Sequence, residues 1–149
     1  MSQLKQTLSD SIKTSMKARE LERVKVLRNV QSVVKQIEID RQTELDDAQV
    51  LEVLQKQLKQ RHESLAIFIE NSRDDLAAKE QFEIDIINEF MPSQMSDEEL
   101  AQLVNAEIAT QGATSMRDMG SVMGVLKNKT AGRADPALIS KLVKDALQK

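Results

Sequence analysis

The sequence predicts an all-α protein, on three observations. Apolar residues recur at three- and four-residue spacing almost from end to end, no stretch sustains the alternation of a strand, and only 4 Gly and 2 Pro interrupt 149 residues. The expected architecture is an N-terminal helical domain of about four helices over residues 1–92, followed by a small three-helix domain over residues 93–149. A first helix carries Leu4, Leu8, Ile12 and Met16 on one stripe, and a charged break at Arg19-Glu20 ends it. The second carries Val24, Leu27, Val30, Val34 and Ile37. The third follows Leu45-Asp46-Asp47, where an Asp can cap, and carries Leu51, Leu54, Leu58, Leu65 and Phe68, a seam interrupted at Arg61-His62. The fourth is expected from Ser72-Arg73-Asp74-Asp75, read as a capping box, through Leu76, Ile84, Ile87 and Phe90 to Pro92.

Pro92 disfavours helix at Met91, and Ser96-Asp97-Glu98-Glu99 restarts one with a capping box, so Met91-Pro92-Ser93-Gln94-Met95-Ser96 reads as the joint between domains. Beyond it, one helix spans residues 100–110 with Gly112 as its stop. Another spans 115–126. The last spans 136–147, with Asp135 as cap and Pro136 in the first turn. Residues 127–134 are expected to be a loop.

Composition removes several kinds of chemistry. Without Cys there is no disulfide framework, thiolate nucleophile, iron–sulfur cluster or Cys-ligated zinc, and one His cannot build a multi-His metal site. No cofactor is expected. Neither an apolar h-region at the start nor 18 consecutive apolar residues is present, which leads to the expectation of a cytoplasmic protein without membrane attachment. The net charge of −3 conceals segregation: +5 over residues 1–35, −8 over 36–92, −4 over 93–111 and +4 over 112–149. Two basic stretches can therefore meet an anionic partner that the acidic middle repels.

His62 is the one side chain whose ordinary pKa lies near neutrality, but it stands mid-helix beside Arg61 with no converging partner. The carboxylate pairs Asp46/Asp47, Asp74/Asp75 and Glu98/Glu99 cluster at helix starts, where capping and the helix dipole account for them. No Gly-x-Ser-x-Gly or P-loop is present. Gly120 and Gly124, four apart among Met116, Met119, Val122 and Met123, suggest a close helix approach, so Gly120→Leu is expected to disturb folding. The strongest functional constellation is Lys127, Lys129 and Arg133 in the last long loop, with Lys141 and Lys144 on the helix after it; basic side chains so arranged can track a phosphate backbone without reading bases. Lys13, Lys17, Arg19, Arg23, Lys25 and Arg28 form a second basic cluster, read as a solvated helix face.

Several segments carry a family resemblance: Met16-Lys17-Ala18-Arg19 with Leu27-Arg28, residues 35–40, residues 52–56, residues 59–64, and Met91-Pro92-Ser93-Gln94-Met95-Ser96. The most specific are Gly112-Ala113-Thr114-Ser115-Met116-Arg117-Asp118-Met119-Gly120 with Val122-Met123, and Gly132-Arg133-Ala134-Asp135-Pro136. Together they make the chain resemble the YqeY family, also described as GatB/YqeY-domain proteins. The resemblance implies an all-helical protein whose C-terminal domain is similar to the tail of GatB, the amidotransferase subunit whose tail helps to hold tRNA. It also implies a link to carbon–nitrogen ligase activity with glutamine as amido donor, but the residues show no catalyst. The leading expectation is thus a non-catalytic module that binds tRNA or another structured RNA through Lys127, Lys129, Arg133, Lys141 and Lys144, with Gly112, Gly120, Gly132, Asp135 and Pro136 shaping the fold around them. The alternatives are an interaction adaptor using the acidic helices or an inter-domain groove, with an amidotransferase as one candidate partner, and an accessory amidotransferase enzyme. Where the family commonly has Gly, Tyr-Leu and Lys, this chain has Ser72, Phe90-Met91 and Ala131.

Overall fold

The computed structural model describes residues 2–148, which form seven α-helices and one 3-10 turn, with no strand among the described residues. They divide into two compact units, Met1–Met91 and Pro92–Lys149.

The first unit contains α1 (Gln3–Lys17), α2 (Leu21–Arg41), α3 (Asp47–Glu70) and α4 (Asp74–Asn88). Its core is made by Leu8, Ile12, Val24, Val26, Leu27, Val30, Val34, Leu45, Val50, Leu54, Leu58, Ile84, Ile86 and Ile87. Full burial of such a side chain stabilises by roughly 1.5–3 kcal/mol relative to exposure. Polar groups close the helix ends. Asp46 caps α3 in a reciprocal box with Gln49, while the Asp47 carboxylate accepts from Leu4 N–H at 3.0 Å and from the Ser2 hydroxyl, tying the start of α1 to that of α3. Glu38 accepts from Lys5 Nζ at 2.6 Å and from Leu45 N–H at 2.8 Å.

α1, α2 and α3 end on residues in the left-handed region without glycine: Arg19 (φ 59°), Gln42 (φ 53°) and Ser72 (φ 57°). After each, an N–H reaches back to a carbonyl of the preceding turn: Glu20 to Ser15 at 2.9 Å, Thr43 to Glu38 at 3.1 Å and Arg73 to Phe68 at 2.8 Å. The expected Ser72 cap of α4 is therefore not formed. A left-handed Ser72 belongs to the end of α3, and Arg73 precedes α4 without any side-chain cap bond.

The second unit contains α5 (Asp97–Gln111), a 3-10 turn (Met116–Asp118), α6 (Met119–Lys129) and α7 (Pro136–Leu147). Ser96 caps α5 by accepting from Glu99 N–H at 3.1 Å, and Gly112 at φ 64° closes it. Asp135 caps α7 through Ala137 N–H at 2.9 Å, with Pro136 at the first turn. Leu100, Val104, Val122, Leu126, Ala134, Ile139, Val143 and Leu147 form its core. Residues 93–95 are held against residues 132–133. Met95 N–H donates to Arg133 O at 2.9 Å, the Gln94 amide to Gly132 O at 2.8 Å, and Arg133 Nε to Ser93 O at 3.0 Å.

Candidate nucleic-acid interface

The five cations expected to act together divide into two groups. α6 continues to Lys129, so Lys127 and Lys129 stand on its last turn rather than in a loop. The helix runs on because Asn128 and Lys129 keep the helical path until Thr130, whose buried hydroxyl donates to Leu126 O at 2.7 Å. Lys129 then lies on the side of α6 that faces α5. Its ammonium is 3.1 Å from Glu107 Oε2, a carboxylate only 7% exposed. Gln111 supplies the other contact, donating to Glu107 Oε1 at 2.9 Å, and its own amide oxygen accepts from the Ser121 hydroxyl at 2.7 Å. The Gln111 amide, then the Lys129 ammonium, hold the Glu107 carboxyl below the usual range. Lys129 is thus part of a clasp between α5 and α6.

Arg133 is structural in the same sense, because its Nε bonds Ser93 O and its main chain pairs with Met95. Gly132, buried and at φ 73°, makes the turn that lets its carbonyl and that of Arg133 face residues 94 and 95.

Lys127, Lys141 and Lys144 differ. All three are exposed, and none has a carboxylate or hydrogen-bond partner among the described residues. Lys141 and Lys144, three apart, share the outward stripe of α7, opposite Ile139, Val143 and Leu147; Asp145 flanks Lys141 one turn on.

Gly120 and Gly124 do not receive a helix. Both are exposed, and a Cβ at either would meet nothing within 4 Å. The apolar side of α6 is carried by Val122 and Leu126 instead, and the glycines fall on the opposite side with Lys127. This leaves bare backbone between Arg117, a further exposed cation without a partner among the described residues, and Lys127. Arg117 was legible only as part of the family-like segment around it.

His62 is exposed on α3. Its neighbour Arg61 turns inward to an ion pair with Glu83, with Glu80 at 3.6 Å, which accounts for the interruption of the α3 seam. No cluster of His, Cys, Asp and Glu able to hold a metal is formed among the described residues. No described helix is long and apolar enough to cross a membrane.

Residues 5–147 match the family described as Yqey-like protein. Curated relatives to which the chain is similar carry the name altered inheritance of mitochondria protein 41, mitochondrial, among them those of three yeasts. That of Vanderwaltozyma polyspora is 28% identical over 76% of this chain and 65% of its own length. That of Kluyveromyces lactis is 29% identical over 95% and 80%. That of Saccharomyces cerevisiae S288c is 35% identical over 56% and 46%.

Proposed function

This chain belongs to the Yqey-like protein family, and on that premise we propose that it is a non-catalytic helical module that binds tRNA or another structured RNA through the phosphate backbone. The observation that carries the reading is that Lys127, Lys141 and Lys144 stay exposed and unpartnered while Lys129 and Arg133 are spent on the fold. Free ammonium groups release condensed counterions when they meet phosphates, and that gain is sequence-independent. With no Tyr or Trp, stacking readout of bases has little to work with. The bare glycine track beside Lys127 lets a backbone come close to α6.

Transamidation is not proposed for this chain. It has no Cys, and its one His is exposed without a hydrogen-bond partner among the described residues, so neither a thiolate nor a His-activated nucleophile is formed among them. A supporting role beside an amidotransferase remains compatible with the resemblance to the GatB tail. The cytoplasm is the proposed compartment, on a composition without Cys, although the curated relatives have mitochondrial names.

The test is anisotropy of labelled bulk tRNA with the full chain and with Lys127→Ala/Lys141→Ala/Lys144→Ala. The triple variant should stay folded and lose about two to three units of the slope of log affinity against log salt. Unchanged affinity and slope remove the site. Capture of one protein partner insensitive to RNase, with no tRNA binding, favours the adaptor reading.

A further inference from the structure

The basic cluster at the start of the chain, expected as a solvated helix face, borders a groove between α1 and α2. Two contacts mark the antiparallel register of α1 and α2: Lys5 Nζ with Glu38 at 2.6 Å, and Arg28 Nη2 with Met16 Sδ at 3.4 Å. That register brings Ser9 level with Lys35 and Lys13 level with Gln31. On α2, Arg28, Gln31, Lys35 and Glu38 are three and four residues apart and so form one stripe; on α1, Lys5, Ser9, Ile12 and Met16 form its counterpart, with Lys13 beside it. Between the stripes lies a groove of about 500 Å³, floored by Leu8 and Val34 and walled by Lys5, Gln31, Ser32, Lys35 and Glu38.

The unpaired charge on this face is of one sign among the described residues. Lys13, Lys17 and Lys35 are exposed without a carboxylate or hydrogen-bond partner among the described residues, and Arg28 donates to the Met16 sulfur. Glu38 is already neutralised by Lys5. Asp10 accepts from the Gln6 amide and lines a different groove, with Thr7, Ser11, Ser15 and Glu20; Arg23 belongs to that side too, bonded to Ser15 and Glu89. Lys25 is paired with Glu22 on the far flank of α2. Arg28 and Lys35 stand about 10 Å apart along α2, by the rise of about 1.5 Å per residue, within roughly one Debye length of each other.

We propose that the α1–α2 face is a second binding surface for the phosphodiester backbone of an RNA strand, in which Lys13, Arg28 and Lys35 meet phosphates and Gln31, Ser32 and Ser9 offer neutral donors. It shares only the ligand class with the α6–α7 reading, and each surface rests on its own residues. The occupant is a nucleic acid rather than a helical peptide or a bilayer because the face offers no contiguous apolar patch. Met16 lies under Arg28, and exposed Leu21 and Ile39 are single residues about 27 Å apart along α2 at 1.5 Å per residue. Contacts made to phosphates alone carry no base information, so the contact is sequence-tolerant.

The experiment compares the full chain with Lys13→Glu/Lys35→Glu and, separately, Lys127→Glu/Lys144→Glu, all four being exposed and unpartnered positions, with helicity checked by circular dichroism. The probes are labelled bulk tRNA and vesicles containing phosphatidylserine. Lys13→Glu/Lys35→Glu should weaken tRNA binding about ten-fold or more near physiological salt and lower the salt slope by about two units. Wild-type affinity and slope in that folded variant overturn this inference, and if Lys127→Glu/Lys144→Glu alone loses binding, the α6–α7 reading survives without it. The reverse pattern keeps this surface and removes the other. Vesicle binding that Lys13→Glu/Lys35→Glu abolishes, with no tRNA binding, overturns it in favour of a lipid surface.

Discussion

Neighbouring positions on α6 should give opposite results, because they face opposite ways. Leu126 is fully buried, packed in a core with Leu100, Val104, Val122, Ile139 and Val143. Leu→Ala at such a site loses the transfer energy of the removed atoms and leaves a cavity, at a cost of about 3–5 kcal/mol. That is comparable with the whole stability of a small domain, about 5 kcal/mol at the low end. Lys127, one residue on, is exposed and unpartnered, so Lys127→Ala should change stability by no more than about 0.5 kcal/mol while removing about one unit of salt slope in RNA binding. The assay is urea unfolding followed at 222 nm, since no Trp or Tyr supplies a fluorescence signal. A loss above about 1 kcal/mol for Lys127→Ala, or below it for Leu126→Ala, would mean that α6 is not packed in this register.

Other expectations follow from single groups. Because the Gln111 amide lowers the Glu107 pKa by a hydrogen bond and the Lys129 ammonium lowers it by a hydrogen bond and by its charge, Gln111→Ala and Lys129→Met should each raise that pKa; carboxyl carbon NMR titration checks both, and an unchanged value in either variant contradicts the clasp. Glu38 is lowered by Lys5 and Leu45 N–H, and Asp47 by the Ser2 hydroxyl and Leu4 N–H. Their stabilisation is therefore full above the ordinary carboxylate range, about pH 4, and is lost as pH falls through the lower folded values, and Glu38→Gln should flatten part of that loss in acid unfolding curves. Ser72→Gly should stabilise by about 1 kcal/mol by relieving φ 57°, and Gly120→Ala by about 0.5–1 kcal/mol as an open helical position, whereas Gly112→Ala at φ 64° should destabilise by about 1 kcal/mol; thermal melts rank the three.

The helices were legible because their signals are local. Asp135-Pro136 gives the start of α7, Gly112 the end of α5, and Leu8, Ile12, Val30 and Val34 their buried stripes, each readable within a few residues. What needed the structure was the fate of side chains whose partners are distant in sequence. Lys129 looks like a loop cation until α5 brings Glu107 against it, 22 residues away, and Arg133 until Ser93 comes within reach, 40 residues away. Gly120 and Gly124 have the spacing of a helix contact, but Val122 and Leu126 decide which side of α6 is buried. Ser72 reads as a cap by residue type, and only its φ shows why the family commonly has glycine there. The α1–α2 groove was hidden for the same reason, since its cations come from two helices whose register is marked by Lys5–Glu38 and Met16–Arg28.

The most direct test of RNA-backbone binding is the affinity of the full chain for labelled bulk tRNA between about 50 and 200 mM salt. Engagement of Lys127, Lys141 and Lys144 alone predicts a fall of roughly twenty- to forty-fold across that range, and a steeper fall if the α1–α2 face also binds. Saturable binding with a flat salt response, or no binding at about 50 mM salt, contradicts the account.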